Sequence, residues 1–172
     1  LRGPVDDMLA LGETIAHLFA DRGVTQMVIT GRNAERGAKV KAALEAKKVK
    51  AVFVQADLVK LADVRRIVAA CDASFGRIDA LVNAAALTDR GTIWDTSEAR
   101  YDELFDANVK APFFLMQDAL HLMKKSKTSG TIVNILSMSG HGGQDFLTAY
   151  STTKGALATM TKNVAYAVMR YK

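Results

Sequence analysis

Four short apolar runs are strung along this chain, and a stretch patterned for a helix separates each from the next. The runs are 26–30 (Q-M-V-I-T), 51–55 (A-V-F-V-Q), 78–82 (I-D-A-L-V) and 131–136 (T-I-V-N-I-L). Between them, 34–47 is rich in Ala, Lys and Glu. In 61–75, Leu61, Val64, Val68, Cys71 and Phe75 recur at helical spacing and share one face. Apolar runs this short suit strands buried on both faces. Strands alternating with helices imply right-handed crossovers and a parallel sheet covered on both sides. The expected fold class is therefore α/β, three layers around a mostly parallel sheet, with residues 1–172 forming one domain or part of one.

The remaining segments fit that plan with one exception. Leu11, Ile15, Leu18 and Phe19 recur at helical spacing, and Gly23 closes that helix. A long helix is expected over 98–124, capped by Ser97, with a kink or local break at Pro112. A last helix starts near Thr148 and runs to about 171. The exception is the stretch 1–9 (L-R-G-P-V-D-D-M-L), which holds no run of four or five apolar residues.

Chemistry concentrates in 131–154. Ile132, Val133, Ile135 and Leu136 read as a strand of the buried sheet, and Ser137 stands where it ends. Gly140, Gly142 and Gly143 turn the chain into the last helix, which carries Tyr150 and Lys154. Four residues apart, those two side chains lie on one helix face. An ammonium beside a phenol favours its ionised form, and a phenol so tuned can exchange a proton with an alcohol or carbonyl oxygen. Ser137 is placed to hydrogen-bond that same oxygen. The carboxyl end of a strand is where open α/β sheets bind ligands. A Tyr-x-x-x-Lys pair alone is common by chance; the serine thirteen residues upstream, after a strand, makes the constellation specific.

These residues resemble the short-chain dehydrogenase/reductase family, classical type. N-I-L-S matches its strand-end serine, and A-Y-S-T-T-K-G-A its Tyr-x-x-x-Lys helix. The resemblance implies a Rossmann-like fold and hydride transfer between a nicotinamide dinucleotide and a carbonyl or secondary alcohol. It makes Tyr150 the general acid/base, Ser137 the group that polarises the substrate oxygen, and Lys154 the tuner of Tyr150 and holder of the nicotinamide ribose. Asn108 would hold a helix bend and support the proton relay; it stands in register with Tyr101, Leu104 and Phe105, so it should face inward. Asn83, Ala84 and Ala85 match the segment lining the cofactor site, though Ala86 stands where the family usually has glycine. Asp57 and Leu58 match the pair beside the adenine; read alone, Asp57 could equally start a turn.

Arg32 and Asn33 follow the strand 26–30 directly. An acid at the end of that strand would bind a ribose 2′-hydroxyl, whereas an Arg can hold a 2′-phosphate, which favours NADP(H) over NAD(H).

The resemblance fails at the dinucleotide fingerprint. The family opens with a strand and T-G-x-x-x-G-x-G. Here V-D-D-M-L-A-L-G-E-T keeps only Gly12, with Asp6 and Ala10 where glycines are expected. Glycines there allow a tight turn and close approach to pyrophosphate, and carboxylates there repel it. Set against the family, the first strand and the last two strands are missing, so an incomplete sheet with open edges is expected, in a chain truncated at both ends.

Composition excludes other classes. Hydrophobic residues make up 49% of 172, so the chain is not disordered. A formal charge of +5 raises nucleic-acid binding, but the basic residues are scattered and no nucleic-acid signature accompanies them. No run is long enough for a membrane span, and no signal segment opens the chain. Cys71 is the only cysteine, core-facing and compatible with a reducing, cytoplasmic setting. His17, His121 and His141 lack metal-ligand spacing, so no metal is expected. The expected partners are a small carbonyl or alcohol substrate and further copies of the chain, meeting through helices 98–124 and 148–171. The alternative is a catalytically impaired or non-catalytic Rossmann-like subunit with a degraded dinucleotide loop.

Overall fold

The structure is a computed structural model and describes residues 7–170, with side chains from residue 11. Six α-helices and four strands alternate along the chain: α1 (Asp7–Asp21), β1 (Gln26–Gly31), α2 (Ala34–Ala46), β2 (Lys50–Gln55), α3 (Leu61–Phe75), β3 (Ala80–Asn83), α4 (Glu98–Phe105), α5 (Ala111–Ser126), β4 (Thr131–Asn134) and α6 (Thr148–Val168). A π-turn, Asp106–Lys110, joins α4 to α5, and a 3₁₀ turn, Met138–Gly140, follows β4. Both strand pairs are parallel, as the alternation requires: β1 with β2 (Met27 opposite Ala51) and β3 with β4 (Leu81 opposite Ile132). The fold is Rossmann-like.

Local chemistry sets the element ends. Asn33 caps α2, its Oδ1 accepting the Arg36 N–H at 2.9 Å, and Ser97 caps α4 through the Arg100 N–H at 3.2 Å. Gly76 ends α3 in the left-handed region at φ +68, where a Cβ would be strained. Side chains alternate across β1 and β2 with period two. Met27, Ile29 and Ala51 join Ala16, Leu44 and Val49 under α1 and α2, whereas Val28, Val52 and Val54 join Val64, Val68, Leu115 and Leu122 under α3 and α5. Cys71 lies in this second core, its thiol pushed up in pKa chiefly by burial. Among the described residues, no helix is long and apolar enough to cross a membrane.

The sheet itself is split. Its four strands form two pairs, and no strand joins β1 to β3 among the described residues. A cleft of about 720 Å³ runs there instead. Consecutive residues of both strands line it, Gln26–Gly31 on one side and Ala80–Asn83 on the other. A cavity over one face would meet alternate residues only, so this one runs along two strand edges. An incomplete sheet with open edges is what the sequence led us to expect; residues 1–6 lie outside the described residues, and 7–9 are helical.

The structure refines three expectations. The run 132–136 is not a fully buried strand: β4 ends at Asn134, and Val133 and Leu136 are exposed, because β4 pairs with β3 alone. The local break expected in the helix 98–124 is the π-turn, which ends two residues before Pro112. Leu11 and Leu18 of the α1 stripe are exposed, since α1 covers only the outer strand pair.

Candidate active site

The site grows from the π-turn. Adding one residue to a helical turn widens it, and such turns recur at functional sites. Here the widened turn carries Asn108, 1% exposed. A buried amide must find partners. Asn108 Oδ1 accepts the Leu87 N–H at 2.8 Å. Its Nδ2 donates to the Leu87 carbonyl at 2.7 Å and to Thr153 Oγ1 at 3.1 Å. Asn108 therefore faces inward, but its stripe is not uniformly buried: Leu104 is, while Tyr101 is exposed and stacks on Phe105. Pro112 has no N–H to offer the Asn108 backbone carbonyl, its usual i−4 acceptor.

The opposite wall is α6. Tyr150, Thr153 and Lys154 are all buried on its inner face, one turn apart. Lys154 Nζ donates to the Ile135 carbonyl at 2.8 Å and lies 5.8 Å from the centre of the Tyr150 ring. Burial pulls the Lys154 ammonium below its ordinary pKa, because the charged form loses hydration. Ile135 is two residues before Ser137, so the lysine ties the helix to the carboxyl end of β4.

Ser137 has extended backbone and opens the 3₁₀ turn. Its Oγ accepts the Ser139 N–H at 3.3 Å and lies 2.9 Å from Ser139 Oγ. That turn rests directly on α6: a Cβ on Gly140 would come within 3.0 Å of the Gly155 nitrogen. The close approach seats the turn that Ser137 opens against Lys154 and Gly155 of α6. Met138, which follows Ser137, is 83% exposed.

A second ladder reaches the same helix. Asn83 Nδ2 donates to Asn134 Oδ1 at 2.8 Å, and Asn134 Nδ2 donates to Thr161 Oγ1 at 2.9 Å. Asn83 thus ties β3 to β4 and, through Asn134, to α6.

Of the residues expected at a cofactor, Gly12, Arg32, Asn33, Asp57, Leu58, Asn83, Ala84 and Ala85 line the cleft between β1 and β3, whereas Tyr150 and Lys154 lie outside that lining. Arg32 is exposed there, with only its backbone carbonyl bonded, to Gln55 Nε2 at 3.0 Å. Asn33 already uses its Oδ1 as the α2 cap. Asp57 Oδ1 accepts the Val59 N–H at 3.3 Å, the turn contact a local reading predicts. Nothing lies within 4 Å of a Cβ placed on Gly12, so no neighbouring atom of the chain requires glycine there.

Sequence reading missed Leu87, Asn134, Thr153 and Thr161. For the two threonines a signal exists: Tyr150, Thr153, Lys154, Leu157 and Thr161 form one inward stripe of α6, and a hydroxyl on such a stripe needs a partner. Asn134 had no comparable pattern.

A parallel α/β sheet with a Tyr/Lys helix leaning on the carboxyl end of a strand is a Rossmann-like arrangement. The chain belongs to the short-chain dehydrogenase family, whose description matches residues 8–172. It is similar to galactitol 2-dehydrogenase of Agrobacterium fabrum, 35% identical over 118 residues, covering 69% of this chain and 46% of that protein. Gluconate 5-dehydrogenase of Gluconobacter oxydans is 33% identical over 156 residues, covering 90% and 60%. Among solved structures, a metagenomic short-chain oxidoreductase in complex with NADP superimposes with a TM-score of 0.86 at 27% identity, covering 93% of this chain and 72% of that one. The chain spans about half the length of the curated relatives it matches, 46% to 62% for the first three.

Proposed function

We propose that this chain carries the catalytic half of an oxidoreductase that moves a hydride between NADP(H) and a small carbonyl or secondary alcohol. The observation that carries the reading is Lys154: a buried ammonium, one helical turn from Tyr150, bonded to the carbonyl end of β4 beside Ser137. A buried charge is costly unless paired, and structural helices rarely need one. Its placement suits a group that acts on a neighbouring phenol.

The residues present fit a dinucleotide at its adenosine and nicotinamide ends. Arg32, Asp57, Leu58, Asn83, Ala84 and Ala85 line one cleft; Arg32 would hold a 2′-phosphate, Asp57 and Leu58 the adenine, and Asn83, Ala84 and Ala85 the nicotinamide end. When bound, NADP(H) supplies or takes the hydride. In the reducing direction, Tyr150 gives its phenolic proton to the substrate oxygen as negative charge develops there, and Ser137 donates a hydrogen bond to the same atom. Lys154 stabilises the phenolate left behind and holds the ribose. Tyr150→Phe should lower turnover by about 10²–10⁴-fold while the thermal midpoint stays within a few degrees. Full activity in that variant rejects the assignment.

The open cleft favours a second reading, a subunit of this family that binds cofactor poorly. Its test is a titration of NADPH fluorescence. No binding up to millimolar cofactor, with cooperative unfolding intact, supports this reading over the first. Tyr101, Phe113, Tyr166 and Met169 are exposed on α4, α5 and the end of α6, which supports self-association through helices 98–124 and 148–171. Light scattering across a dilution series tests that, a monomer at every concentration opposing it.

A further inference from the structure

We propose that Thr153 is a positioning residue: its hydroxyl locks the Tyr150–Lys154 turn of α6 to the chain beyond β3, through Asn108. The inference deepens the redox reading above and rests on it.

Thr153 is fully buried, so its hydroxyl has no water to bond. It makes two bonds of opposite sense. Oγ1 donates to the Tyr150 carbonyl at 2.7 Å and accepts from Asn108 Nδ2 at 3.1 Å. A hydroxyl has one proton, and this one is committed to a carbonyl, which can only accept. The amide nitrogen of Asn108 must then face Thr153. The other Asn108 bonds agree, since Oδ1 faces the Leu87 N–H and Nδ2 faces the Leu87 carbonyl. Flipping the amide would set donor against donor at Leu87. All three polar groups therefore have one consistent orientation.

The resulting chain of bonds runs from Leu87, four residues past β3, through the π-turn, to the backbone of Tyr150 itself. Exposed Thr152 bonds back along the helix, to the Thr148 carbonyl. Thr161 plays the bridging part lower on α6, toward Asn134. Of the two bridging threonines, Thr153 lies in the turn from Tyr150 to Lys154. Losing its hydroxyl leaves an Asn108 N–H buried without an acceptor and removes the tie between that turn and the π-turn. Errors of about 1 Å at a reacting group lower rate far more than affinity.

Thr153→Val keeps the branched shape and removes both bonds; Thr153→Ser keeps the hydroxyl. The full chain and both variants are assayed with NADPH and ethyl acetoacetate as probe ketone. We expect Thr153→Val to lose about tenfold in kcat with KM for NADPH within about twofold, and Thr153→Ser to recover to within about threefold of the parent. A Thr153→Val kcat within twofold of the parent overturns the proposal, as does a loss that Thr153→Ser fails to rescue. Hydrogen exchange separates this failure from failure of the redox reading. In Thr153→Val the Leu87 amide should exchange about tenfold faster while the β1 and β2 amides keep their rates. A parent chain without turnover that still shows this acceleration rejects the redox reading and retains the lock. Unchanged Leu87 exchange removes the lock whatever the turnover.

Discussion

Around α6, Asn108, Thr153, Lys154 and Asn134 are each bonded to a neighbour on another element. Along the cleft, the facing edges of β1 and β3 lie on either side of about 720 Å³ of open volume. Both regions come from the same alternation of strands and helices, yet they hold their geometry differently. The first is fixed by buried polar bonds that are expensive to leave unmade, so its atoms have few alternatives. The second is held by one strand pair and the helices over it, and its inner edge meets open volume. Four experiments probe that division.

The largest contrast should come from core truncation. Leu157, 2% exposed on α6, should cost about 3–4 kcal/mol when changed to Ala, because the site cannot collapse. Ile29, half-buried at the cleft, should cost only about 1 kcal/mol, since part of its surface already meets open volume. Urea unfolding measures both; equal costs would break the comparison.

Next in size is Asn108→Leu, which strands the Leu87 N–H and carbonyl and the Thr153 hydroxyl. About 2–3 kcal/mol should be lost by the same method. A loss below about 0.5 kcal/mol would mean that water reaches the amide and the network is looser than its geometry.

Smaller is the effect of Arg32→Ala. It should weaken NADPH binding about tenfold and leave NADH binding and stability unchanged. Equal losses for both cofactors would show that Arg32 does not read a 2′-phosphate.

Smallest is a pH effect at Lys154. Burial lowers its folded pKa below the ordinary 10.5. At pH below the lowered value both states carry the proton, and folding bears the desolvation in full. Above 10.5 both are neutral and that cost is gone. The parent should therefore gain stability with rising pH across that window relative to Lys154→Met, whose residue 154 does not titrate. A difference that stays flat, or falls, would place the ammonium in contact with water.

Much of this was legible from spacing. The stripe through Leu61, Val64, Val68 and Cys71 faces the core, and Tyr150 and Lys154, four residues apart, share the buried face of α6. Asn108 was readable as inward for the same reason. What spacing cannot show is pairing between distant segments. Thr153 with Asn108, and Asn134 with Thr161, become partners only when α5 and α6 meet. A break in the long helix was expected at Asn108 and Pro112; its form, a π-turn of five residues, was not. The exposure of Val133 and Leu136 follows from how many neighbours β4 has, a property of the sheet and not of its own residues.

The π-turn also keeps a phase. From Glu98 to Ser126 the backbone winds as one continuous rod. A π-turn holds one residue more than an α-turn, so it takes up that residue without turning the helix that follows. Deleting one residue between 106 and 110 would restore uniform winding and leave Ala111, Leu115, Ala119 and Leu122 on the sheet they now cover. Such a deletion should thus cost the bonds of Asn108 to Leu87 and Thr153 while the packing of α5 stays in place.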